Sequence, residues 1–440
     1  MTIPELYKLF LKYPKITTDS RKMLENSVFW ALKGDKFNGN IFVQSALKSG
    51  AAFAVTDEKK YQTSDKVILV NNSLEALQQL ANYHRKQLNV PIFALTGTNG
   101  KTTTKELINS VLSTQYKVKA THGNFNNHIG VPLTILSFDK NTEIGIVEMG
   151  ANHPKEIDTL CKIVEPNFGL ITNIGKAHLE GFGSFEKIIE TKSELYQSLI
   201  KNNGTIFYNS DNPILRELNK GDKTVAYGQN DEAYLKGKIT TVNPFLDVEI
   251  ETFEGLKTEI NSKLIGLYNF ENILAASCVG DFFNISIQNI KKGIENYIPE
   301  NNRSQIIKHK YNTIILDAYN ANPASMKVSV NSFLESYKNN KILILGDMYE
   351  LGKYSDNEHS KILKIASDTI KTDTSVKLII VIGKYFKKVY TNEHIKAGIV
   401  HFNSASEAET FLNKNPYKGY TFLIKGSRAV KLEDILQSVL

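Results

Sequence analysis

The sequence predicts an α/β protein with three domains, and three observations lead to that prediction. The chain has 440 residues, which is too long for a single hydrophobic core. Apolar segments of strand length alternate with amphipathic helical segments, a pattern typical of parallel sheets covered by helices. A glycine-rich turn joins one of these strands to the next helix, as in phosphate-binding loops.

Composition and element pattern divide the chain into three predicted domains. Residues 1–88 would form a small α/β domain. Residues 89–302 would form a central P-loop-type domain with a mostly parallel sheet and a β-rich insertion, and residues 303–440 a Rossmann-like domain. Ligands of such sheets bind outside the carboxyl ends of the strands, so we expect the functional residues there.

The first domain is predicted to contain short mixed elements. The expected elements are a helix over residues 6–10, strands over 27–31, 52–56 and 67–70, and a helix over 73–88. Ser73 is the expected N-cap of the last helix, because serine side chains accept hydrogen bonds from the first helical N–H groups. Trp30 lies in a predicted strand and is expected in the core.

The two larger domains are predicted from alternating strands and helices. In the central domain we expect strands over 92–96, 144–149, 168–172 and 205–208, helices over 101–113, 154–164, 185–201 and 269–282, and the insertion over 233–260. In the third domain we expect strands over 313–317, 341–346, 378–382 and 421–424, with helices that include 324–337 and 404–414.

Composition and charge narrow the functional classes. Hydrophobic residues make up 41% and charged residues 22% of the chain, as in ordinary soluble proteins. The net charge is +7, and the sequence contains no run of five basic residues that would concentrate this charge. This argues against a nucleic-acid-binding surface. We find neither an apolar stretch of membrane-spanning length nor a signal-peptide pattern. Cys161 and Cys278 are expected as buried free thiols in a reducing cytoplasm.

The glycine-rich turn carries the strongest functional signal. Its residues are Gly97, Thr98, Asn99, Gly100, Lys101, Thr102 and Thr103. Backbone N–H groups of such a turn and the positive end of the following helix attract phosphate. Lys101 would reach the β- and γ-phosphates of ATP, and Thr102 would bind its Mg²⁺. The full P-loop pattern has a glycine where Leu95 stands, and an ordinary strand–turn–helix corner could also use these glycines.

Candidate metal and acid–base groups follow two later strands. Glu148 ends one strand, and Gly150 beyond it would leave room for a ligand. A carboxylate there suits Mg²⁺, which prefers oxygen ligands. His178 follows the next strand and is, from its residue type, a general base or a structural donor. Lys192 lies on a predicted helix, either as a surface lysine with its amine in water or as a desolvated amine that takes up CO₂ to form a carbamate ligand.

Taken together, these motifs resemble the Mur ligase family. The resemblance rests on residues 97–103, Glu148, His178, Lys192, residues 268–272 and Arg303. Further stretches narrow it to the members that add D-alanyl-D-alanine. These stretches are 18–21 with 31–34, 123–132, 317–326 and 345–352, and the segment 424–428 fits as well.

The resemblance implies an ATP-dependent ligase of peptidoglycan precursor synthesis, and therefore a role in cell-wall biogenesis, cell shape and cell division. Such an enzyme adds D-alanyl-D-alanine to UDP-N-acetylmuramoyl-tripeptide through an acyl-phosphate intermediate. The implied cofactors are ATP, two Mg²⁺ ions and a carbamylated Lys192. We expect a cytoplasmic monomer with these small-molecule substrates, no nucleic-acid partner and no membrane span.

The resemblance also implies roles for single residues. Lys101 would contact the β- and γ-phosphates, Thr102 and Glu148 would hold one Mg²⁺, and His178 with carbamylated Lys192 would serve the second. Arg303 would contact the γ-phosphate, Asp317 the ribose, and Asn269 and Asn272 the adenine. The residues expected to bind the acceptor and amine substrates are Ser20, Arg21, Asn124, Asn126, Asn127, Asn320, Asn322 and Ser427.

Two departures from the family pattern and two alternative functions stay open. Leu316 and Ala318 flank Asp317 where the family usually has paired acidic residues, and residues 38–40 read Asn-Gly-Asn in place of Asp-Gly-His. The second departure puts uridine recognition in doubt. The alternatives are another ATP-driven ligase, of the diamino-acid-adding or polyglutamate-forming type, and a non-catalytic nucleotide-binding regulator.

Overall fold

The computed structural model describes residues 1–22, 24–34, 37–242, 244–300, 302–338 and 340–440, with residue 396 described without its side chain. Within these residues the strands form sheets of four, nine and six strands and one two-stranded hairpin. The three larger sheets lie within the three residue ranges predicted as domains, and the α/β fold class is confirmed. The boundaries at residues 88 and 302 stay predictions.

The first domain contains a four-stranded parallel sheet in the order β1-β2-β5-β6. Its strands are β1 (Ile16–Thr17), β2 (Val28–Trp30), β3 (Lys33–Gly34), β4 (Phe37–Asn38), β5 (Phe53–Thr56) and β6 (Val67–Leu69), and its helices are α1 (Ile3–Lys12), α2 (Val43–Lys48) and α3 (Ser73–Leu88). Trp30 is buried, as predicted. The predicted N-cap is wrong by one residue, because the Asn72 side chain accepts from the N–H groups of Leu74 and Glu75.

The central domain is built on the nine-stranded sheet. Its strands are β7 (Ile92–Thr96), β8 (Val118–Ala120), β9 (Ile144–Glu148), β10 (Phe168–Ile171), β11 (Thr205–Asn209), β12 (Thr224–Gly228), β13 (Leu235–Thr241), β14 (Asp247–Glu251) and β15 (Lys257–Asn261). Its helices are α4 (Lys101–Leu112), α5 (Gly130–Leu136), α6 (Glu156–Val164), α7 (Leu179–Phe182), α8 (Phe185–Lys201), α9 (Pro213–Leu218), α10 (Asn269–Phe282) and α11 (Ile287–Asn296).

The β-rich insertion continues the central sheet. The strand order is β15-β14-β13-β12-β11-β10-β7-β9-β8, with parallel pairing from β8 to β13 and antiparallel pairing at β14 and β15. Every residue of β7 and β9 is buried, as expected for parallel strands covered on both faces. Because β10, β7 and β9 are neighbours, their carboxyl ends meet at one edge of the sheet.

The third domain has a six-stranded sheet in the order β16-β17-β21-β18-β19-β20. Its strands are β16 (Gln305–Lys308), β17 (Thr313–Asp317), β18 (Lys341–Gly346), β19 (Val376–Ile382), β20 (Ile399–Phe402) and β21 (Thr421–Lys425). Its helices are α12 (Pro323–Ser336), α13 (Ser355–Thr372), α14 (Lys384–Val389), α15 (Asn392–Lys396), α16 (Ala405–Lys414) and α17 (Leu436–Val439). Among the described strands of this sheet, the edge strand β16 pairs antiparallel and the others pair parallel.

The remaining sequence expectations on burial hold. Cys161 and Cys278 are buried free thiols, and burial raises the pKa of the Cys161 thiol to about 12. No helix among the described residues is long and apolar enough to cross a membrane.

Candidate active site

The turn between β7 and α4 requires its two glycines. Gly97 and Gly100 have φ angles of +149° and +78°, which side-chain-bearing residues rarely adopt. A Cβ at Gly97 would lie 1.9 Å from Thr172 Oγ1, and one at Gly100 would lie 2.6 Å from Asn272 Oδ1. The backbone can therefore approach both neighbours only because these positions lack side chains.

Asn173, which sequence reasoning did not single out, holds this turn in place. Its carbonyl accepts from the N–H of Thr98 at 2.9 Å, and its Oδ1 accepts from the N–H of Asn99 at 3.0 Å. Thr172 Oγ1 donates to the Asn99 carbonyl at 2.6 Å. The sequence signal that could have identified Asn173 is its position, because it lies just beyond the carboxyl end of β10, the strand that pairs with β7.

Two lysine amines converge on one carbonyl oxygen of the turn. Lys101 Nζ donates to the Gly97 carbonyl at 2.7 Å and to the Thr98 carbonyl at 3.1 Å, while Lys192 Nζ donates to the Gly97 carbonyl at 3.0 Å. Burial lowers the pKa of Lys101; Glu148 opposes this shift and Arg303 adds to it. These effects show that Lys101 lies within electrostatic reach of both charges.

The side chain of Lys192 is buried, which excludes the surface-lysine alternative. Its residue exposure is 4%. Burial, with a smaller contribution from Lys101, brings the pKa of Lys192 well below its ordinary value. A neutral amine is the form that reacts with CO₂, so the environment of Lys192 meets the chemical requirement for a carbamate.

Glu148 presents one carboxylate oxygen without a hydrogen-bond partner. Its Oε1 accepts from Asn126 Nδ2 at 2.8 Å, and its Oε2 is buried with no partner within the described residues. A buried carboxylate oxygen left in this way suits a cation. Gly150 lines the cavity, and its lack of a side chain also makes room for Asn126, because a Cβ there would meet the Asn126 side chain at 3.0 Å.

His178 follows β10 and faces the third domain. It has a left-handed backbone with a φ of +51° and stands at the start of α7. Its Nδ1 contacts a carboxylate oxygen of Glu350, in the loop after β18. The imidazole beside it lowers the pKa of the Glu350 carboxyl.

These residues fit Mg²⁺ bound together with a nucleotide. Among the described residues, no three His, Cys, Asp or Glu side chains come together as a metal site. A cation would therefore need the Thr102 hydroxyl, the unpartnered Glu148 oxygen and phosphate oxygens, with a Lys192 carbamate as a further oxygen donor. This donor set is oxygen-rich, as Mg²⁺ requires, and His178 is its one nitrogen group.

One cavity of about 970 Å³ collects these groups. Its lining comes from loops that follow strands of the central and third domains, from helices of these domains, and from Leu74 and Gln78 of α3 in the first domain. The predicted residues among its lining are Thr98, Asn99, Gly100, Lys101, Thr102, Thr103, Asn124, Asn126, Asn127, Glu148, His178, Lys192, Asn269, Asn272, Arg303, Asp317, Asn320 and Asn322.

Comparisons with known proteins decide the family. Three family models match: the Mur ligase family catalytic domain over residues 12–85, the Mur ligase middle domain over 95–280, and the Mur ligase glutamate ligase domain over 302–428. Together they cover most of the chain. The chain belongs to the Mur ligase family.

Named relatives of this Mur ligase match it over nearly its full length. UDP-N-acetylmuramoyl-tripeptide--D-alanyl-D-alanine ligase of Bacillus subtilis is 35% identical to this chain. The alignment covers 97% of this chain and 93% of the Bacillus subtilis enzyme. The enzyme of the same name from Buchnera aphidicola subsp. Baizongia pistaciae is 35% identical, and the alignment covers 97% of this chain and 92% of that enzyme.

Solved structures agree with the sequence relatives. A crystal structure of MurF from Acinetobacter baumannii is similar with a TM-score of 0.85 at 28% identity, covering 99% of this chain and 98% of that one. MurF ligase from Thermotoga maritima in complex with ADP has a TM-score of 0.83 at 27% identity, covering 97% of each chain. The three-domain architecture is therefore that of a Mur ligase.

The asparagines expected at the adenine are paired with other groups in this Mur ligase. Asn272 Oδ1 accepts from Thr104 Oγ1 at 2.9 Å, and Asn272 Nδ2 donates to Asn269 Oδ1 at 2.8 Å. Asn269 Nδ2 donates to the Ile265 carbonyl at 2.8 Å. The Thr104–Asn272 bond joins α4 to α10 next to the phosphate loop. A role of either side chain at the adenine stays a prediction.

One hydrogen bond joins the third domain to the phosphate loop, and two further pairs form within the third domain. Asn322 Nδ2 donates to Asn99 Oδ1 at 2.8 Å. Asp317 forms an ion pair with Lys425 at 2.5 Å, and the Arg303 guanidinium stacks 3.7 Å from the centre of the Tyr319 ring. Lys425 and Tyr319 lay within motifs of the resemblance, but Lys425 meets Asp317 from a distant part of the chain. Asn320 lies nearby, where its Oδ1 accepts from the Ala321 N–H at 2.9 Å.

Four predicted residues do not line the cavity. Gly97 lies beneath it as the carbonyl acceptor of both lysines. Ser427 is buried and accepts from the Tyr349 N–H at 3.1 Å. Ser20 and Arg21 lie in the first domain, where Arg21 is exposed and its hydrogen bonds lower the pKa of Asp19 to about 2. Their substrate contacts stay predictions.

The departure at residues 38–40 has a structural explanation. Asn40 is buried, its Oδ1 accepts from Thr56 Oγ1 at 2.6 Å, and its Nδ2 donates to Asp57 Oδ1 at 2.8 Å. A Cβ at Gly39 would lie 2.5 Å from the Leu32 carbonyl. The Asn-Gly-Asn segment thus forms a packed turn whose polar groups bond within the first domain.

Proposed function

We propose that this chain is the ATP-dependent ligase that adds D-alanyl-D-alanine to UDP-N-acetylmuramoyl-tripeptide in peptidoglycan precursor synthesis. The observation that carries the proposal is that Lys101, Glu148, His178 and Lys192 line a single cavity between the central and third domains. Similarity over nearly the whole chain to enzymes named for this reaction favours it over the other activities of the family.

The reaction would take place in two steps. An oxygen of the acceptor carboxylate attacks the γ-phosphorus of ATP, and the bond from that phosphorus to ADP breaks, which leaves an acyl phosphate. The free amine of D-alanyl-D-alanine then attacks the acyl carbon. The carbon–oxygen bond to phosphate breaks, the amine nitrogen loses a proton, and an amide and inorganic phosphate result.

Positive charge is the main requirement of the first step, because the carboxylate and the triphosphate repel each other. Lys101 and Arg303, which both line the cavity, would offset that repulsion. Mg²⁺, held by Thr102, Glu148, His178 and a Lys192 carbamate, would neutralise charge on the transferring phosphoryl group. Loss of one such contact typically lowers the rate by about 10²–10³-fold.

The remaining expected contacts extend from this centre. Asp317 would meet the ribose, Asn269 and Asn272 the adenine, and Asn320, Asn322 and Ser427 the incoming dipeptide. On the acceptor side, Ser20 and Arg21 would serve the UDP-sugar, and Asn124, Asn126 and Asn127 the part nearer the cavity. We infer a cytoplasmic enzyme, because its nucleotide substrates are cytoplasmic, and we keep the expectation of a monomer, with which a cavity lined by one chain is compatible.

Phosphate release with defined substrates tests the proposal. Purified protein is assayed with ATP, Mg²⁺, UDP-N-acetylmuramoyl-tripeptide and D-alanyl-D-alanine, and each component is omitted in turn. We expect phosphate release to require both the tripeptide and the dipeptide. Release that continues without either of them would refute the proposal.

Two controls separate the alternatives. Replacing the dipeptide by a single diamino acid or glutamate would restore turnover if the chain were another ligase of the family. Lys192→Ala and CO₂-depleted buffer should both reduce turnover, with bicarbonate restoring only the wild type. A nucleotide-binding regulator would bind ATP but form no amide.

A further inference from the structure

A contact between the central and third domains lies at the edge of the cavity. His178 Nδ1, after β10, meets the carboxylate of Glu350, in the loop after β18. In the same place the Glu180 N–H donates to the Glu350 carbonyl at 3.4 Å. A Cβ added at Gly352 would lie 3.3 Å from Glu180 Cβ, so the two loops are in close contact.

Both partners have backbone conformations that favour the contact at a local cost. His178 and Glu350 have φ angles of +51° and +64°, in the left-handed region that non-glycine residues rarely occupy. Such conformations persist only where the surrounding structure enforces them, and they cluster at functional sites. Two of them facing each other across a domain interface indicate a built contact.

The exposure of the pair argues that its role is orientation and not stability. The side chain of Glu350 is 57% exposed and that of His178 is 25% exposed. Ion pairs this exposed contribute about 0–1 kcal/mol to folding. The His178 ring also lines the cavity, whereas Glu350 lies outside its lining.

We propose that Glu350 is a positioning residue that fixes the tautomer and orientation of His178 when the third domain docks on the central domain. A carboxylate oxygen in contact with Nδ1 favours the tautomer that keeps its proton on Nδ1, which leaves Nε2 as the nitrogen available to a ligand in the cavity. The ligand-facing side of His178 is therefore set by a residue of the other domain. The inference rests on the proposed function for the role of His178 in cation binding.

Two variants and one matched control test this. Glu350→Ala removes the acceptor, and Glu350→Gln keeps a neutral acceptor without the charge. Glu335→Ala is the control, because Glu335 is also an exposed glutamate of the third domain, on α12. All three should unfold within about 1 kcal/mol of the wild type, since exposed pairs contribute little.

The decisive readout is the protonation pattern of the His178 ring. Protein with ¹⁵N-labelled histidine rings is studied by NMR in the presence of ADP, and the His178 signals are assigned from their loss in His178→Gln. We expect the Nδ1–H tautomer in the wild type and in Glu335→Ala, a mixture of tautomers in Glu350→Ala, and an intermediate pattern in Glu350→Gln. An unchanged tautomer in Glu350→Ala would overturn the inference.

Cation binding gives a second readout that does not depend on turnover. Mn²⁺ titrated into the ADP-bound protein is followed by electron paramagnetic resonance. At the site lost in His178→Gln, we expect Glu350→Ala to weaken Mn²⁺ binding by about 10–100-fold. Equal affinity in Glu350→Ala and Glu335→Ala would contradict the inference. Loss of dipeptide-dependent turnover in the wild type would instead refute the proposed function and leave both readouts valid.

Discussion

The two interfaces of the central domain differ in chemistry. Against the first domain, Leu77 and Leu80 of α3 join Ile135 and Leu160 in one buried apolar cluster. Against the third domain, the cavity side is closed by polar contacts, the Asn99–Asn322 hydrogen bond and the His178–Glu350 pair. A buried apolar interface fixes two domains, whereas a small polar one lets them separate at low cost.

Apolar packing anchors the third domain at its other end, whereas on the cavity side Tyr354 packs, partly buried, against the central domain's apolar cluster. Ile265, at the end of the central sheet's insertion, joins the third domain's core, and Tyr268 hydroxyl bonds to Ser304 Oγ at 2.6 Å beside the connecting segment. A fixed apolar end opposite an end held mainly by polar contacts is the arrangement of a hinge. We therefore expect the acceptor side of the site to be rigid and the amine side to open and close.

Truncating the apolar interface should give the largest effect on stability. Leu80→Ala leaves a cavity between α3 and the central domain, and we expect it to lower the free energy of unfolding by about 2–5 kcal/mol. Urea unfolding measures this. Leu256→Ala is the control, because Leu256 is 51% exposed and should change stability little. Equal losses in the two variants would mean that this interface does not hold the domains together.

Removing the phosphate-loop amine should give the largest effect on rate. Lys101→Met keeps the length of the side chain and removes its charge, so we expect kcat to fall by about 10²–10³-fold. Because the charge of this partly buried amine is costly to desolvate, unfolding in urea should not be easier than in the wild type. A kcat within tenfold of the wild-type value would show that Lys101 does not contribute to the chemical step.

Breaking the polar interface between the central and third domains should have a smaller effect than the two preceding changes. We expect it to lower turnover more than stability. Asn322 caps α12 by accepting from the Ser325 N–H and also donates to Asn99. Asn322→Ser keeps the capping oxygen and loses the reach to Asn99, so turnover should fall by about 2–13-fold, equivalent to 0.5–1.5 kcal/mol. Asn322→Ala should lose stability as well. Unchanged turnover in both variants would show that the contact does not matter for closure.

The smallest expected effect comes from the buried amine of Lys192, which should make the free energy of unfolding depend on pH. Its pKa in the folded chain lies below that in the unfolded chain, so between the two values the unfolded chain binds the extra proton. In CO₂-free buffer the stability advantage of Lys192→Met over the wild type should therefore shrink as pH rises from neutral toward about 10. If the difference in unfolding free energy between Lys192→Met and the wild type does not change with pH, the Lys192 amine is exposed to water.

The sequence predicts the parts of this fold that local pattern encodes. Continuous apolar runs marked β7 and β9, and the glycines before Lys101 marked the loop. Pairing between distant segments was not accessible in this way. The insertion strands gave no sign that they extend the central sheet, and nothing local indicates that Lys425 would meet Asp317 or that Glu350 would face His178.

The most direct test of the proposed chemistry is oxygen transfer from the acceptor. UDP-N-acetylmuramoyl-tripeptide labelled with ¹⁸O in its reacting carboxylate is turned over with ATP and D-alanyl-D-alanine, and the released phosphate is analysed by mass spectrometry. If the carboxylate and the γ-phosphate meet in the cavity at Lys101, the phosphate should carry one ¹⁸O atom. Unlabelled phosphate alongside amide formation would contradict this.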